Sequence, residues 1–514
     1  MNPVVKTVRL DMPVPAVGDN RSHEARLRDA ILQKTGEHIG ISRHMLQKIA
    51  LVMPAAEYRV SVVLAHGRCG WELAEIYPGD DEFPVYTLAI DLGSTSVIFY
   101  LVDPLTGRTV QTISRENPQR EHGEDILDRI LFAGKGEGLE VLRTKTVTLV
   151  NSAIVEITAL ENVTPDNIFY LAVAGNTTMC HFLLGLDPSH ICREPYIPAA
   201  GSFDIMSARD IGIECNVMAM LYCFPNVGAY FGGDLLAGIL ASEINRSDDI
   251  SMFVDVGTNA EVLLGNRDWM VACAGAAGPA LEGGILACGM MAAPGAIDRV
   301  NFDRSSGRLD FQTIGFMPPV GLCGSGIIDL LASMFRAGIV DQTGKLDTRA
   351  DGVRTIEGEP AFVLADENVA RDGKPVYITR SDIKNLIRSK GAMYTILNVI
   401  TQSVGVTFDD IDRFYVAGAF GNYIDPANAV FIGMLPDIPL ERFKGVGNAA
   451  GAGAVKLLMD RECIREVEEI CDKITYLEMN VRGDFMNQLT ASLFLPHTDM
   501  NLFPSVRAAL SEST

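Results

Sequence analysis

The sequence predicts an α/β protein built on an internal duplication and preceded by a small α+β domain. An apolar strand at residues 86–90 runs into the turn Asp-Leu-Gly-Ser-Thr-Ser and then into a second strand at 97–102. Another apolar strand at 252–256 runs into Gly-Thr-Asn and is followed by a strand at 260–264. Because the same strand-turn-strand unit occurs twice, we expect two lobes of one duplicated fold.

The chain is long enough for several folding units. Its 514 residues exceed the usual size of a single hydrophobic core. Three prolines near the N-terminus are typical of an extended linker, and the pattern changes at Tyr86. The predicted bounds are a linker at 1–20, a small α+β domain at 21–84, and the duplicated domain at 85–514, with lobe 1 at about 85–245 and lobe 2 at about 246–514.

Two short helices and two strands are expected in the small domain. Helical spacing with Gly36 as a stop signal predicts a helix at 22–34, and residues 42–50 repeat the pattern. Alternation at 58–64 predicts a strand with one buried face, and residues 71–76 are expected to pair with it.

Composition and charge exclude some classes of partner. The chain is 48% hydrophobic and 21% charged, with 48 glycines, as in folded α/β proteins with many tight turns. Its formal net charge of −22, without a long Lys/Arg run, predicts no nucleic-acid partner. Without an apolar signal segment or a long apolar span, we expect no membrane partner and a cytoplasmic location.

The ten cysteines are scattered, with no Cys-x-x-Cys pair and no ferredoxin-type spacing. We therefore expect no iron–sulfur cluster and no zinc site in this chain, and mostly buried, reduced thiols. Cys463 and Cys471 flank an apparent helix, where core packing is the favoured interpretation. His181, on a predicted helix, is likewise favoured as a core or surface residue over a ligand.

Both repeated turns follow the pattern Asp-x-Gly-Ser/Thr. Glycine permits close backbone approach, so that amide N–H groups can point at phosphate oxygens while hydroxyl groups add donors. The aspartates at the strand ends, Asp91 and Asp255, supply carboxylates that can hold Mg²⁺ through its water shell or polarise an attacking water. The predicted phosphate-binding residues are Gly93, Ser94 and Thr95 in the first turn, and Gly257, Thr258 and Asn259 in the second.

One such turn alone is weak evidence, since it is more often an ordinary hairpin than a phosphate site. Two turns, one per lobe, would face each other across a cleft with a polyphosphate between them. After the apolar strand 414–416, the residues Gly418, Ala419, Phe420 and Gly421 are expected to approach a base or ribose, and the alternative is a plain strand-to-helix turn. Gly324 and Ser325 precede an apolar helix, where phosphate or ribose contact and a helix cap are equally supported.

The small-residue runs 172–178 and 447–454 suit helices that cross at close range. In chain order, the five elements would be a phosphate-binding turn, a connecting segment, a second phosphate-binding turn, an adenosine-binding turn and a second connecting segment. This order resembles the superfamily of actin, heat-shock chaperones and sugar kinases. The resemblance implies an actin-like ATPase with duplicated ribonuclease H-like lobes that binds ATP and Mg²⁺.

Longer stretches resemble one family more closely, the reductive activators of corrinoid proteins. They are Asn117-Pro-Gln with Gly123 to Ile130, then 277–284, 294–297 and 321–329. The resemblance implies an ATPase that helps to return cob(II)alamin on a corrinoid protein to cob(I)alamin, and it implies a homodimer. Members usually carry an iron–sulfur domain, whose cysteines are missing from this sequence. Three explanations stay open: the domain lies outside this sequence, a separate ferredoxin-like protein donates the electrons, or this branch performs only the ATP-driven part of the reaction.

Two other functions remain open at this point. A sugar or carboxylate kinase of the same superfamily would need an acceptor pocket with a catalytic base, and no clear base stands out. A nucleotide-sensing assembly module, in the manner of actin, would need no catalysis at all. Glu282 and Asp298 lie among small residues, where a contact with the cleft or a partner is favoured over a structural ion pair.

Overall fold

The computed structural model describes residues 2–79, 81, 83–257, 259–276, 278, 280, 284–303, 308–479 and 485–511. The chain divides into two compact units. The first unit combines Met1–Glu243 with Ala449–Lys473, and the second combines Ile244–Asn448 with Ile474–Thr514. Within the described residues, no helix is both long enough and apolar enough to cross a membrane.

The N-terminal part of the first unit is a small sheet covered by two helices. Its elements are β1 (Val5–Asp11), α1 (His23–Thr35), β2 (Ile39–Gly40), α2 (Arg43–Ala55), β3 (Arg59–Gly67) and β4 (Gly70–Pro78). The strand order is β1-β3-β4-β2. Ser22 caps α1 by accepting a hydrogen bond from the Ala25 N–H, and Gly36 ends it in the left-handed conformation. The predicted helices and strands of this region are confirmed.

Strand β1 lies in the segment predicted as a linker. It pairs antiparallel with β3, from Val5 opposite Ala65 to Asp11 opposite Arg59. Val5, Val8 and Leu10 are buried. The structure therefore differs from the predicted linker here, because Val8 and Leu10 complete the apolar core beneath the two helices.

The rest of Met1–Glu243 forms a mixed sheet with flanking helices. Its elements are β5 (Tyr86–Leu92), β6 (Ser96–Asp103), β7 (Arg108–Glu116), α3 (Ile126–Ala133), α4 (Gly138–Leu160), β8 (Ile168–Gly175), α5 (Thr177–Leu184), β9 (Met206–Ser207), β10 (Met220–Cys223) and α6 (Gly233–Ser242). The strand order is β7-β6-β5-β8-β10-β9. β5 is antiparallel to β6 and parallel to β8, which is parallel to β10.

The chain after Glu243 repeats this arrangement and adds to it. The strands are β11 (Ser251–Val256), β12 (Asn259–Gly265), β13 (Met270–Ala276), β14 (Ala296–Asp303), β15 (Arg308–Thr313), β16 (Gly321–Leu322), β17 (Val353–Ile356), β18 (Glu359–Ala365), β19 (Val376–Thr379), β20 (Arg413–Ala417), β21 (Phe443–Gly447) and β22 (Ile474–Leu477). The helices are α7 (Gly324–Arg336), α8 (Arg380–Ser403), α9 (Gly418–Tyr423), α10 (Pro426–Phe431), α11 (Ala449–Met459), α12 (Glu462–Lys473), α13 (Phe485–Ser492) and α14 (Pro504–Ser511).

The two large sheets share the topology of five of their six strands. The second has the order β21-β20-β11-β12-β13-β22, in which β11 is antiparallel to β12 and parallel to β20. An antiparallel meander continued by parallel strands therefore occurs once in each unit, each with its own apolar core. The predicted duplication and the α/β fold class are confirmed.

Helices α11 and α12 return to the first unit, whereas the sequence placed residues 449–473 in lobe 2. Gly453 lies against the backbone of Ala237 on α6, where any Cβ would overlap the carbonyl group. Gly451 lies against the ring of Tyr100 on β6. The small residues of this run thus let α11 approach the first sheet and α6 closely. The other small-residue run, 172–178, is instead the strand β8 and the start of α5.

We expect Gly453→Ala to lower the free energy of unfolding by about 1 to 3 kcal/mol, because the added methyl group forces α11 away from α6. The measurement is the midpoint of urea denaturation. Ala452→Ser, on the exposed side of the same helix, should change stability by no more than about 0.5 kcal/mol. Equal midpoints for the two variants would contradict the close packing of these helices.

Candidate functional site

The first Asp-x-Gly turn joins β5 to β6, and Asp91 is the last residue but one of β5. Asp91 lies beside Ala174 of the parallel strand β8 and opposite Ile98 of β6. Gly93 is required at the turn, since a Cβ there would lie 2.5 Å from the Ser96 carbonyl oxygen. The structure therefore places the carboxylate at the carboxyl end of a central strand.

Two buried side chains hold the carbonyl groups of this turn. The Asn117 side-chain amide donates to the Gly93 oxygen at 2.9 Å, and the Arg129 guanidinium donates to the Ser94 oxygen at 2.7 Å. The Asn117 N–H also donates to the Thr95 oxygen at 2.9 Å. Asn117 and Arg129 are 1% and 0% exposed. Three successive carbonyl groups are thus each held by Asn117 or Arg129.

This anchoring sets the direction of the amide groups. In a planar trans peptide the N–H points opposite to the C=O of the same peptide unit. The N–H groups of Ser94 and Thr95 are therefore directed away from Asn117 and Arg129. Successive N–H groups that share a direction are suited to bind an anion such as a phosphate.

In the sequence, Asn117 and Arg129 belong to the stretches that resemble the corrinoid activators, and the sequence alone indicates no role for either side chain. Burial lowers the pKa of the Arg129 guanidinium, which also donates to the Gly123 carbonyl at 2.9 Å. An arginine inside a short helix with otherwise apolar buried neighbours is the signal that could have indicated a buried anchor.

Tyr100 shares one face of the sheet with Asp91. It lies opposite Ala89, two residues before Asp91 on β5. Burial and, second, the Asp91 carboxylate raise the pKa of Tyr100 to about 12. Gly451 packs on the Tyr100 ring, so α11 lies close to this end of the first sheet.

The second turn joins β11 to β12, and the Gly257 N–H donates to the Asn259 carbonyl at 2.9 Å. Asp255 lies beside Ala417 of the parallel strand β20, the same position that Asp91 has beside β8. Gly418 follows at once with φ of +82°, and a Cβ there would lie 2.8 Å from Asp255 Oδ1. The structure therefore brings Asp255 and Gly418 together.

Glu261 on β12 lies directly opposite Asp255, and sequence reasoning missed it. Two carboxylates opposite each other destabilise a sheet unless a cation lies nearby. Carboxylate oxygens are ligands that Mg²⁺ prefers, directly or through water. The pair therefore fits a divalent cation. In the sequence, the alternation of the strand after the second turn could have indicated Glu261, because it places Asn259 and Glu261 on one face.

The remaining predicted site residues lie nearby in the second unit or outside the described residues. Gly421, on α9, fits against the Val416 carbonyl group, where a Cβ would overlap it. Helix α9 contacts β11 and α7. Thr258 and Glu282 lie outside the described residues, as do the side chains of Ala419 and Phe420.

Gly324 and Ser325 begin α7. Ser325 is buried, with its hydroxyl 3.6 Å from Cys323 Sγ, and Gly326 packs against the Ile297 carbonyl group of β14. Asp298 follows Ile297, and its Oδ1 is buried without a hydrogen-bond partner among the described residues. Contact with a ligand and a helix-capping role for this turn therefore stay alternatives.

Asp329, which ends the family-like stretch 321–329, has a structural role. Its carboxylate accepts hydrogen bonds from the Asn428 side chain at 2.8 Å and the Val300 N–H at 3.3 Å. Burial raises the pKa of Asp329. The hydrogen bond to Asn428 links α7 to α10 beneath the second sheet.

His181 is a core residue, as favoured from the sequence. It is 0% exposed, its Nδ1 lies 2.7 Å from the Thr177 carbonyl, and burial lowers its pKa. The ten cysteines are free thiols. Cys463 is buried in the helix α12, in agreement with core packing.

Three family models match the chain in succession. Residues 1–82 match the RACo linker region, residues 86–247 the RACo middle region, and residues 249–507 the C-terminal domain of RACo, described as the ASKHA domain. The chain belongs to the RACo family. The nucleotide-binding actin-like fold and the family inferred from the motifs are thereby confirmed.

Solved and curated relatives agree with this assignment. A solved structure named "Reductive activator for corrinoid, iron-sulfur protein" is 38% identical with a TM-score of 0.91, covering 98% of this chain and 81% of that chain. The corrinoid activation enzyme RamQ of Eubacterium limosum is 31% identical over 417 residues, which are 79% of this chain and 69% of RamQ. A Methanosarcina barkeri relative, "[Co(II) methylated amine-specific corrinoid protein] reductase", is 24% identical over 441 residues, with 78% and 76% covered.

We expect Arg129→Lys to weaken ATP binding by roughly tenfold, because one ammonium group cannot hold the carbonyl groups that the planar guanidinium reaches. The free energy of unfolding should fall by about 1 to 3 kcal/mol. Calorimetric titration with ATP and urea denaturation measure the two effects. The control is Arg120→Lys, whose side chain pairs with exposed Glu116 and Glu124. Unchanged ATP affinity in Arg129→Lys would refute the anchoring role.

We expect Gly418→Ala to weaken ATP binding, because its Cβ would displace the Asp255 carboxylate. The matched control is Gly405→Ala, since Gly405 has φ of +70° and no atom within 4 Å of the position that a Cβ would occupy. Both variants should lose about 1 to 2 kcal/mol of stability through the strained left-handed backbone. Only Gly418→Ala should lower the affinity for ATP. A similar loss of ATP affinity in both variants would show that backbone strain alone is responsible.

Proposed function

We propose that this chain is an ATP-dependent activator of a corrinoid protein. It binds and hydrolyses ATP and couples these steps to the reduction of cob(II)alamin to cob(I)alamin, with electrons from a separate iron–sulfur domain or protein. The observation that carries the proposal is the match of all three RACo regions, in order, to successive parts of the chain. The names of the relatives, which specify corrinoid activation, support it.

The turn geometry supports the nucleotide roles. Gly93, Ser94 and Thr95 would bind phosphate through amide groups that point away from Asn117 and Arg129. Gly257, Thr258 and Asn259 would do the same in the second unit. Gly418–Gly421 would contact adenosine, and Gly324–Ser325 would contact phosphate or ribose. Mg²⁺, held through water by Asp91 and by Asp255, would neutralise phosphate charge when bound. Glu261 would add a further carboxylate beside Asp255.

Asp91 and Asp255 would act on the attacking water. A carboxylate at a strand end is held in a fixed position and can accept a proton or orient a water molecule. The strand register keeps each carboxylate next to a glycine turn, so the water and the phosphate would be positioned by the same few residues.

ATP binding can drive the reduction only if the ATP-bound and ATP-free forms of the chain interact differently with the corrinoid protein. Reduction of Co(II) to Co(I) is unfavourable with ordinary cellular donors and needs a coupled source of free energy. If the ATP-bound form binds the corrinoid protein differently, that difference can remove an axial cobalt ligand and raise the potential. The proposal therefore requires that ATP change the affinity for the corrinoid protein.

The partners follow from the same proposal. They are a corrinoid protein, a ferredoxin-like electron donor and a second copy of the chain in a homodimer, in the cytoplasm. The cysteine spacing supports an external electron donor, because it offers no set of ligands for an iron–sulfur cluster. The domain bounds inferred from the sequence, a region to about residue 84 followed by the ATPase, belong to the proposal as well.

The decisive experiment mixes the protein with a cob(II)alamin-loaded corrinoid protein, a chemical reductant and ATP, and follows the visible spectrum for cob(I)alamin. We expect cob(I)alamin only when ATP is present. Asp91→Asn should reduce ATP hydrolysis on the order of 10²-fold or more, because the carboxylate that orients the water is lost. Its urea denaturation midpoint should stay close to that of the wild type.

Two outcomes would contradict the proposal. Cob(I)alamin formation at the same rate without ATP would exclude the coupling. Phosphate release stimulated by a sugar or a small carboxylate, without any effect of the corrinoid protein, would favour a kinase.

A further inference from the structure

One face of the first large sheet carries both Asp91 and Tyr100. Side chains along a strand point alternately to its two faces. The residues of β5 and β6 that alternate with Asp91 and Tyr100 belong to the apolar core on the opposite face; they are Leu88, Ile90, Leu92, Val97, Phe99 and Leu101. Asp91 and Tyr100 therefore share the face that this core does not occupy.

The two side chains are diagonal neighbours across the antiparallel pair of β5 and β6. Tyr100 lies opposite Ala89, and Asp91 lies opposite Ile98. The Cα atoms of diagonal neighbours are about 7 to 8 Å apart, a distance that an aromatic side chain can span. The Tyr100 hydroxyl group can therefore come within hydrogen-bond distance of the Asp91 carboxylate.

The negative charge that acts on the Tyr100 hydroxyl comes from Asp91. Burial raises the pKa of Tyr100 to about 12, and the Asp91 carboxylate contributes to the same shift. Tyr86, at the other end of β5, differs, because burial raises its pKa together with Glu161 and Asp103. A phenol that titrates near pH 12 keeps its proton at neutral pH, so Tyr100 can donate a hydrogen bond to a carboxylate.

Helix α11 confines Tyr100 against the sheet. A Cβ on Gly451 would lie 2.5 Å from Tyr100 Cε2 and 2.8 Å from the hydroxyl oxygen, so the helix meets the hydroxyl end of the ring. Helix α11 also contacts β5 and β8, where Ala89 and Ala174 are buried. Their small side chains let the helix approach the sheet. The phenol is thereby held on the face to which Asp91 belongs.

We propose that Tyr100 is a positioning residue for ATP hydrolysis, and that its hydroxyl group donates a hydrogen bond to Asp91 and so orients the carboxylate. This role rests on the proposed function, in which Asp91 orients the attacking water. A carboxylate at a strand end can still rotate about its side-chain bonds, and a fixed donor selects one orientation. Hydrogen bonds to charged acceptors are among the strong ones, so one such donor is sufficient.

The hydrolysis step itself leaves Tyr100 unchanged. The oxygen of the attacking water forms a bond to the γ-phosphorus atom, and the bond from that phosphorus to the bridging oxygen of ADP breaks. ADP leaves with the electron pair of that bond, and Asp91 accepts a proton from the water. Tyr100 keeps its own proton. Loss of the hydroxyl group should therefore slow the step and leave ATP binding, which uses the amide groups of the turn, nearly unchanged.

The competing explanation is that Tyr100 only fills the space beneath α11. In that case the ring is needed and the hydroxyl group is not. Tyr100→Phe keeps the ring and removes only the hydroxyl group, so this substitution separates the two explanations.

The experiment compares Tyr100→Phe with Tyr86→Phe in the full chain. Tyr86 is a matched control because it is also half-buried, its pKa is also raised by burial, and it lies at the end of β5 away from Asp91. Phosphate release gives kcat and KM for ATP in the presence of Mg²⁺. Calorimetry gives the affinity for ATP, and urea denaturation gives the stability of each variant.

We expect Tyr100→Phe to lower kcat by about tenfold or more, because a hydrogen bond to a charged group is lost. KM and the Kd for ATP should stay within about twofold of the wild type, since the hydroxyl group acts in the hydrolysis step and not in binding. Tyr86→Phe should match the wild type in kcat, KM and Kd. Both variants should keep the urea midpoint of the wild type.

Gly451→Ala supplies a second test, through a double-mutant cycle. Its methyl group would displace the Tyr100 ring, so kcat should fall. If Gly451 acts by holding the Tyr100 hydroxyl in place, the same substitution should lower kcat much less in the Tyr100→Phe background. An equal fold-loss in both backgrounds would contradict the positioning of this hydroxyl by α11.

Three results would overturn the role of Tyr100. The first is the wild-type kcat in Tyr100→Phe, which would leave only packing. The second is an equal loss of kcat in the two tyrosine variants. The third is a higher KM with unchanged kcat, which would assign the hydroxyl group to ATP binding. A wild-type protein that neither binds nor hydrolyses ATP would instead refute the proposed function.

Discussion

The pairing of a central antiparallel strand with a parallel neighbour determines the rest of the candidate site. β5 with β8 and β11 with β20 each place an aspartate at a strand end, beside Ala174 and Ala417 respectively. Side chains alternate between faces with a period of two, so a shift of one residue would turn Asp91 or Asp255 to the other face. Every second residue of β5 and of β11 is buried in an apolar core, which fixes the register: Leu88, Ile90 and Leu92 in the first unit, and Met252, Val254 and Val256 in the second.

The two copies of this arrangement are stabilised differently. In the first unit, Asn117 and Arg129 hold the turn from behind through its carbonyl groups. In the second, a glycine with left-handed backbone lies against the aspartate, and Glu261 lies opposite it. A duplicated fold has therefore acquired one turn with a rigid backbone and one with two carboxylates.

The sequence predicted strands and helices well where one periodicity dominates. The helices α1 and α2 have clear caps, and the two strand-turn-strand units have long apolar strands. The prediction from the sequence failed where contacts between distant parts of the chain determine the structure. β1 became part of the small sheet because β3 offers a partner edge, and local sequence does not show that edge. Helix α11 joined the first unit because Gly453 fits the backbone of Ala237, more than two hundred positions earlier in the chain.

The sequence by itself determined the duplicated α/β fold, the two Asp-x-Gly turns and the family, since these depend on periodicity and on short motifs. Only the tertiary structure decided which residues hold those turns. Asn117 and Arg129 lie far from Gly93 in the chain, and their role arises from the burial of their side chains beneath the turn. Such a role depends on where folded segments meet, and spacing along one chain does not specify that.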